Sequence, residues 1–569
     1  MGKSTLRSLY SLLLKRKAYI LLAAVVVMGL LMSFYYGYNY SYDGYDDFYY
    51  ALYAHTVQQY GFGALPFSAF SVKYVLIGAL AVSYSLFGFS MLSNALFSLA
   101  CFVGLVIVAY FIGAVTGSER RGLIAAFFVS TLPLILLESG TGGDSMPAAF
   151  FSALCVLLLL LGLRRKKRLP LLFSGFVSVA GVLAGGLVSL MVLPFAILML
   201  AYAAWKRETA AWGNVSFLSG VVLALLLLVL LGEILTGSPL AYFAQTFSQG
   251  VIANSYSHEA NVSANLIWYA SFFFPYFQQA LVPAWPSSQN TLLNSAFAII
   301  TRAYVSVPSY GYNYSGYLGI LFLVGLAYVF MAGERRLYPI ALWFAVVFGY
   351  LSAGTVTPFS YAPPAFNERF VIVLAAPACV LAAYPVERLL SVWMERRRKV
   401  PMRAVAGFLA VAALAVVLGN SVFTAAYAGY ANSNNLFQEI EVSSFLQSLP
   451  SNATIYIVSG FYGNGTPVGV FGSPLDLNNI EALLINFYTG YGHRINDSLT
   501  ELGCNGITPG SYFVFDKSIW SLAAASPYAL ITNCSGMRPV LTSLEPPVSA
   551  LQVQWPGIQD RTLSVYRYA

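Results

Sequence analysis

The chain has 569 residues, 58% of them hydrophobic and 9% charged, with a net charge of +8. A soluble domain carries about a quarter charged residues, so a water-soluble globular protein is excluded. The excess of positive charge does not point to nucleic acid, because the basic residues sit in short clusters between apolar runs.

Apolar runs long enough to cross a bilayer, on the order of 20 residues each, recur from residue 19 to residue 421. Most of the 30 Lys and Arg residues collect at 3–17, 120–121, 164–168, 206–207, 335–336 and 388–403. Cytoplasmic loops are enriched in these residues, which assigns those segments, and the N-terminus, to the cytoplasm. Lys73, Arg302, Arg369 and the bases beyond residue 430 fall on the opposite face.

In chain order, residues 19–36 form a first span. No small-residue cleavage site follows it, so it reads as a retained anchor. Residues 37–73 form the first outer loop. The apolar stretch 74–115 is too long for one span and is broken at Leu86-Phe87-Gly88-Phe89-Ser90, which predicts a half-buried outer helix and then a span at 93–115. Spans follow at 122–138 and 146–163, two compact ones over 169–204, and another at 215–233. Residues 264–285 and 291–304 form either a hairpin through the membrane or an interfacial segment. Further spans lie at 315–332, 338–354, 370–388 and 404–421, giving about 11–13 in all by the thickness rule.

From about residue 430 the hydropathy falls. Leu436, Ile440, Phe445 and Leu446 have helical spacing, and Thr454–Val458 and Ser511–Phe515 read as strands. The expected fold class is a polytopic α-helical membrane domain (1–425) followed by a small extracytoplasmic α/β domain (430–569). Cys504 and Cys534 lie in that second part, where a disulfide between them would suit an exterior compartment; Cys101, Cys155 and Cys379 lie in apolar segments as packing residues.

The residues able to carry chemistry are few. Asp46 and Asp47 stand in the first outer loop among Tyr42, Tyr45, Phe48, Tyr49, Tyr50 and Tyr53. They are either solvated helix-capping acids or a functional pair beside aromatic platforms of the kind that bind sugar rings. Asp144 ends a glycine-rich turn, Gly140-Thr141-Gly142-Gly143-Asp144, just before Pro147. Its plain reading is a helix N-cap; its other reading is an acid lining a cavity at membrane depth. Lys73 and Arg369, the latter beside Glu368, sit at outer membrane boundaries. They either snorkel to headgroups or bind a phosphate, which Lys meets as a point charge and Arg as a fork. His258-Glu259 is ordinary loop chemistry or a substrate or metal contact.

The order of these features resembles the GT-C superfamily of membrane glycosyltransferases, such as the protein mannosyltransferases and bacterial aminoarabinose transferases. Asp46-Asp47-Phe48-Tyr49-Tyr50-Ala51 is similar to that family's acidic pair with a Tyr-Ala step. Lys73 with Leu86-Phe87-Gly88 matches its Lys before an amphipathic segment, Gly143–Phe150 its second Asp motif, and Arg369-Phe370 with Pro377 its late Arg motif. Tyr49 stands where the family has Arg, the Arg before the second Asp is missing, and there is no Trp-Trp-Asp motif.

The resemblance implies inverting transfer of a sugar from a polyprenyl (dolichyl) phosphate to a hydroxyl acceptor on a glycan, protein or lipid. Asp46 would be the general base. Asp47 and Asp144 would orient the acceptor or hold a divalent cation (magnesium or manganese). Lys73 and Arg369 would meet the lipid phosphate, with Tyr50, Arg302, Glu368 and His258 as further substrate contacts. A non-catalytic glycolipid-binding relative and a membrane transporter are the alternatives.

Overall fold

In the computed structural model, the described residues are 3–36, 46–65, 70–206, 211–241, 243–244, 316–354, 368–395, 399–435, 437–450, 452–458, 494–496, 509–516, 536–542 and 563–568. The long apolar runs are helices: α1 (Lys3–Tyr36), α2 (Asp46–Tyr60), α3 (Tyr74–Phe87), α4 (Met91–Thr116) and α5 (Glu119–Thr131). There follow α6 (Pro133–Ser139), α7 (Ser145–Arg165), α8 (Arg168–Ala180), α9 (Val182–Gly185), α10 (Val192–Trp205) and α11 (Ala211–Thr236). After residue 315 come α12 (Gly316–Met331), α13 (Tyr338–Ala353), α14 (Ala375–Met394), α15 (Val400–Asn435) and α16 (Phe437–Gln447). Among the described residues eight helices are long and apolar enough to cross a membrane, or nine if one bent pair counts as a span. The expected hairpin at 264–304 lies outside the described residues.

Local sequence sets the breaks. The expected outer helix is α3; it stops at Gly88 (φ 74°), and Ser90 caps α4 by accepting from the Ser93 N–H. The expected span at 122–138 is made of α5 and α6, bent by 63° where they meet. Pro133 is the cause: it has no N–H to donate and pushes the residue before it out of helical geometry, and Leu132 sits extended at φ −70°, ψ 122°. Close helix packing comes from small residues, as expected where apolar burial alone does not draw helices together. Gly175 of α8 and Gly220 of α11 each face a backbone carbonyl of the other helix, Phe217 and Leu172 respectively, with no room for a Cβ.

The strand-like runs form a five-stranded sheet of β1 (Thr454–Val458), β2 (Arg494–Asn496), β3 (Tyr512–Asp516), β4 (Met537–Thr542) and β5 (Leu563–Tyr568), ordered β2-β1-β3-β5-β4. β1 pairs in parallel with β2 and β3; β5 runs antiparallel to β3 and β4. One apolar cluster joins this sheet to the outer helices: Ile455, Val514 and Val565 with Val442 and Leu446 of α16, and Phe48, Tyr50 and Leu52 of α2 with Leu76, Ile77 and Leu80 of α3. The sheet therefore lies at the end of the helical bundle that carries α2 and α3.

Candidate functional site

Three helix N-termini are relevant: α2 starts at Asp46, α3 follows Lys73, and α7 follows Asp144. The last two meet. Lys73 Nζ donates to Asp144 Oδ2 and to the phenol oxygen of Tyr50. The ion pair is largely enclosed, with side-chain exposures of 14% for Lys73 and 11% for Asp144. Residues 71 apart in sequence are thus joined.

Asp144 is the N-cap residue of α7 by position, as expected, but its side chain makes no cap hydrogen bond. An ammonium outcompetes neutral backbone N–H groups for the carboxylate because both partners are charged. The helix dipole still favours the negative charge there. Lys73, likewise, does not snorkel; its amine turns inward.

Aromatic rings wall the amine. Lys73 Nζ lies 4.7 Å from the Tyr50 ring centroid and 5.7 Å from that of Phe70. Phe70 in turn stacks on Tyr49 at 5.4 Å and 19°. On the remaining side the backbone comes close at Gly186, in the break between α9 and α10. Its φ is +58°, and a Cβ there would sit 3.1 Å from Lys73 Cε and 3.3 Å from Asp144 Oδ2. Only glycine leaves the space beside the ion pair open.

Asp47, one residue into α2, is 1% exposed, so it is no solvated loop acid. The backbone of Asp46 begins α2, and Glu368 and Arg369 open a short 3-10 helix (Glu368–Leu374) that packs against α7; the side chains of these three lie outside the described residues. Arg302, His258, Cys504 and Cys534 lie outside them altogether. Among the described residues no three His, Cys, Asp or Glu side chains group as metal ligands. Of the two carboxylates expected to hold a cation, Asp144 is engaged by the Lys73 ammonium and Asp47 is buried in α2.

Several residues were missed by sequence reading. Phe70 and Gly186 give no motif. Glu138, 1% exposed at the end of α6, is one turn before the glycine-rich stretch. Asn94 and Tyr84 are buried together, with the Tyr84 hydroxyl donating to Asn94 Oδ1 at 2.6 Å. The signal was there for Glu138 and Asn94, as polar groups at membrane depth.

At the opposite end of the bundle a second ion pair ties the α4–α5 turn to α14. Arg121 Nε donates to Glu387 Oε2 at 2.7 Å, Arg121 Nη1 to the Thr116 carbonyl at 2.9 Å, and Ser118 Oγ to Glu387 Oε1.

The chain thus combines a bundle of long apolar helices, a loop helix with an acidic start and a small terminal sheet. Two solved structures of ArnT from Cupriavidus metallidurans share this fold. The form bound to undecaprenyl phosphate matches with a TM-score of 0.56 at 13% identity, covering 95% of this chain and 97% of that one. The apo form matches with 0.52 at 14% identity and the same coverage. The apo oligosaccharyltransferase of Archaeoglobus fulgidus matches with 0.49 at 13% identity, over 88% of this chain and 70% of its own. No protein-family model and no curated protein sequence matches. The chain therefore shares the fold of the two ArnT structures.

Proposed function

We propose that this protein is a glycosyltransferase that moves a sugar from a polyprenyl phosphate to a hydroxyl acceptor on a glycan, protein or lipid, with inversion, at the outer membrane face. The observation that carries the reading is the enclosed Lys73–Asp144–Tyr50 constellation at the meeting of two helix N-termini, on the end of the bundle where the acidic helix α2 begins. The reaction needs positive charge where the lipid phosphate departs and a carboxylate within hydrogen-bond reach of the acceptor hydroxyl. Lys73 meets the first need: an ammonium has three donors, two are used by Tyr50 and Asp144, and the third is for a phosphate oxygen. The N-termini of α3 and α7 add favourable dipoles for the same anion. Asp46 is the base that takes the acceptor proton, and buried Asp47 steadies the start of α2. Arg369, on the segment packed against α7, is the second phosphate contact. Undecaprenyl phosphate is the ligand in the ArnT structure of the same fold, which supports a lipid phosphate as donor carrier.

The orientation rests on the basic turns, such as 164–168, at the end of α7 opposite Asp144. The 430–569 unit, joined to α2 and α3 by one apolar cluster, is then extracytoplasmic and roofs the site. A divalent cation, if bound, would be held by Asp47 and Asp144 and would add positive charge at the donor phosphate.

The test is transfer of labelled sugar from polyprenyl-phosphate mannose and glucose to crude glycolipid and glycoprotein acceptors by purified protein in liposomes. Transfer by wild type, lost in Asp46→Asn with folding retained, is the expected result. Undiminished transfer by Asp46→Asn removes it as base. Binding of polyprenyl phosphate without release of sugar supports the non-catalytic binder instead.

A further inference from the structure

We propose that Asn94 and Tyr84 are positioning residues for Asp144, acting through the glycine-rich turn. The proposal rests on the functional reading above for its consequence in catalysis, but its geometry is independent of it. Asp144 has no side-chain cap bond to its own helix; the turn that carries it is tied to the end of α6, where Thr141 Oγ1 donates to the Glu138 carbonyl at 3.1 Å, and to α4. Gly142 sits against the Asn94 amide so closely that a Cβ would lie 2.5 Å from Asn94 Oδ1 and 2.6 Å from Nδ2. One helical turn further, Ser98 Oγ donates to the Gly143 carbonyl at 3.3 Å, and within the turn the Gly143 N–H donates to Thr141 Oγ1 at 3.3 Å.

Asn94 is itself fixed, by the Tyr84 hydroxyl at 2.6 Å. Tyr84 belongs to α3, the helix that Lys73 precedes, and its ring packs on Phe89 at 4.7 Å between centroids. A chain of contacts therefore runs from the helix behind Lys73, through Tyr84 and Asn94, to the turn that ends in Asp144. Both members of the ion pair are referred to one buried hydrogen bond. An off-the-shelf amide–phenol bond in an apolar bundle is costly to leave half made, so Tyr84 and Asn94 fix each other and, through Gly142, fix the carboxylate. In the proposed reaction this keeps Asp144 against Lys73, which limits how far the ammonium can follow the departing phosphate.

The experiment reads Lys73 directly. Full-length wild type, Tyr84→Phe, Asn94→Ala, Gly142→Ala and Asp144→Asn are acetylated in detergent with an N-hydroxysuccinimide ester. Labelling of Lys73 is quantified by peptide mass spectrometry against Lys166 at the far end of α7. An ion-paired ammonium is a poor nucleophile, so Asp144→Asn sets the upper limit. Tyr84→Phe, which removes one hydroxyl and keeps the ring, is expected to raise the Lys73-to-Lys166 ratio about fivefold, the equivalent of one lost hydrogen bond, with Asn94→Ala and Gly142→Ala nearer the limit. An unchanged ratio in Tyr84→Phe and Asn94→Ala overturns the proposal. So does a rise matched by alkylation of the buried thiols Cys155 and Cys379, which means general loosening. If the ratio rises while wild type transfers no sugar, the functional reading falls and the positioning role stands.

Discussion

The Lys73–Asp144 pair makes a quantitative prediction that does not depend on knowing the substrate. Two opposite charges in contact, about 3 Å apart, attract by roughly 5 kcal/mol at an effective dielectric of 20. Enclosing them costs several kcal/mol in desolvation, so the pair as a whole contributes little net stability. Removing one partner is different, because it strands a charge that has already lost its water. Both side chains are less than a fifth exposed, which places Lys73→Met and Asp144→Asn near the lower end of the range for breaking a buried pair, about 3 kcal/mol each. The double variant strands nothing and is expected to lose only about 1 kcal/mol, leaving a coupling of about 5 kcal/mol. The assay is a titration of the purified protein in mixed micelles with a denaturing detergent, read by tryptophan fluorescence, for all four members of the cycle. Single losses that add to within about 0.5 kcal/mol in the double variant, as for independent sites, would refute the pairing.

The remaining expectations follow from other contacts. Gly186→Ala forces a side chain into a backbone conformation that L-residues avoid and within 3.3 Å of Asp144 Oδ2; it should cost about 1–3 kcal/mol in the same titration, and wild-type stability would mean the break is not built as described. At the far end, Arg121→Met strands Glu387 and should cost about 3–5 kcal/mol, mostly recovered when Glu387→Leu is added; a double variant no better than the single contradicts the contact. His55, on α2, has its pKa lowered from 6.5 by burial. The folded state then binds fewer protons than the unfolded one just below pH 6.5, so this stability is present above 6.5 and declines as pH falls through that window. The thermal midpoint of wild type should therefore drop between pH 7 and pH 5.5 by more than that of His55→Gln; parallel curves would show that His55 does not titrate with folding.

Much of the scaffold was readable because it follows local rules. Gly88 and Ser90 mark the end of α3 and the cap of α4 as residue types, and the two β-branched and aromatic runs became β1 and β3, parallel neighbours in one sheet. Lys73 and Asp144 stood out because charge is scarce on their face. Failures came where distant groups override local preference. Asp144 has every local mark of an N-cap, and Lys73, 71 residues away, takes its carboxylate. The span expected to end at 421 continues in α15 to Asn435, because hydropathy reports where lipid ends and not where a helix does. The Gly185-Gly186 break was invisible for the reverse reason: its apolar flanks suit membrane, and only the folded chain shows an ion pair beside it.

The two buried ion pairs differ in what surrounds them. Arg121 Nε is held by Glu387 and Nη1 by the Thr116 carbonyl, Ser118 takes the second Glu387 oxygen, and the Tyr384 ring centroid lies 4.8 Å from the guanidinium carbon. These contacts tie α5 to α14, which suits a structural joint. Lys73 has the opposite surroundings. Its partners are one carboxylate oxygen and one phenol, its walls are aromatic faces, and the one backbone segment that approaches does so at a residue with no side chain. Aromatic faces attract the ammonium without consuming its N–H groups. In the proposed function a phosphate oxygen would take the third ammonium donor while Asp144 and Tyr50 keep the other two.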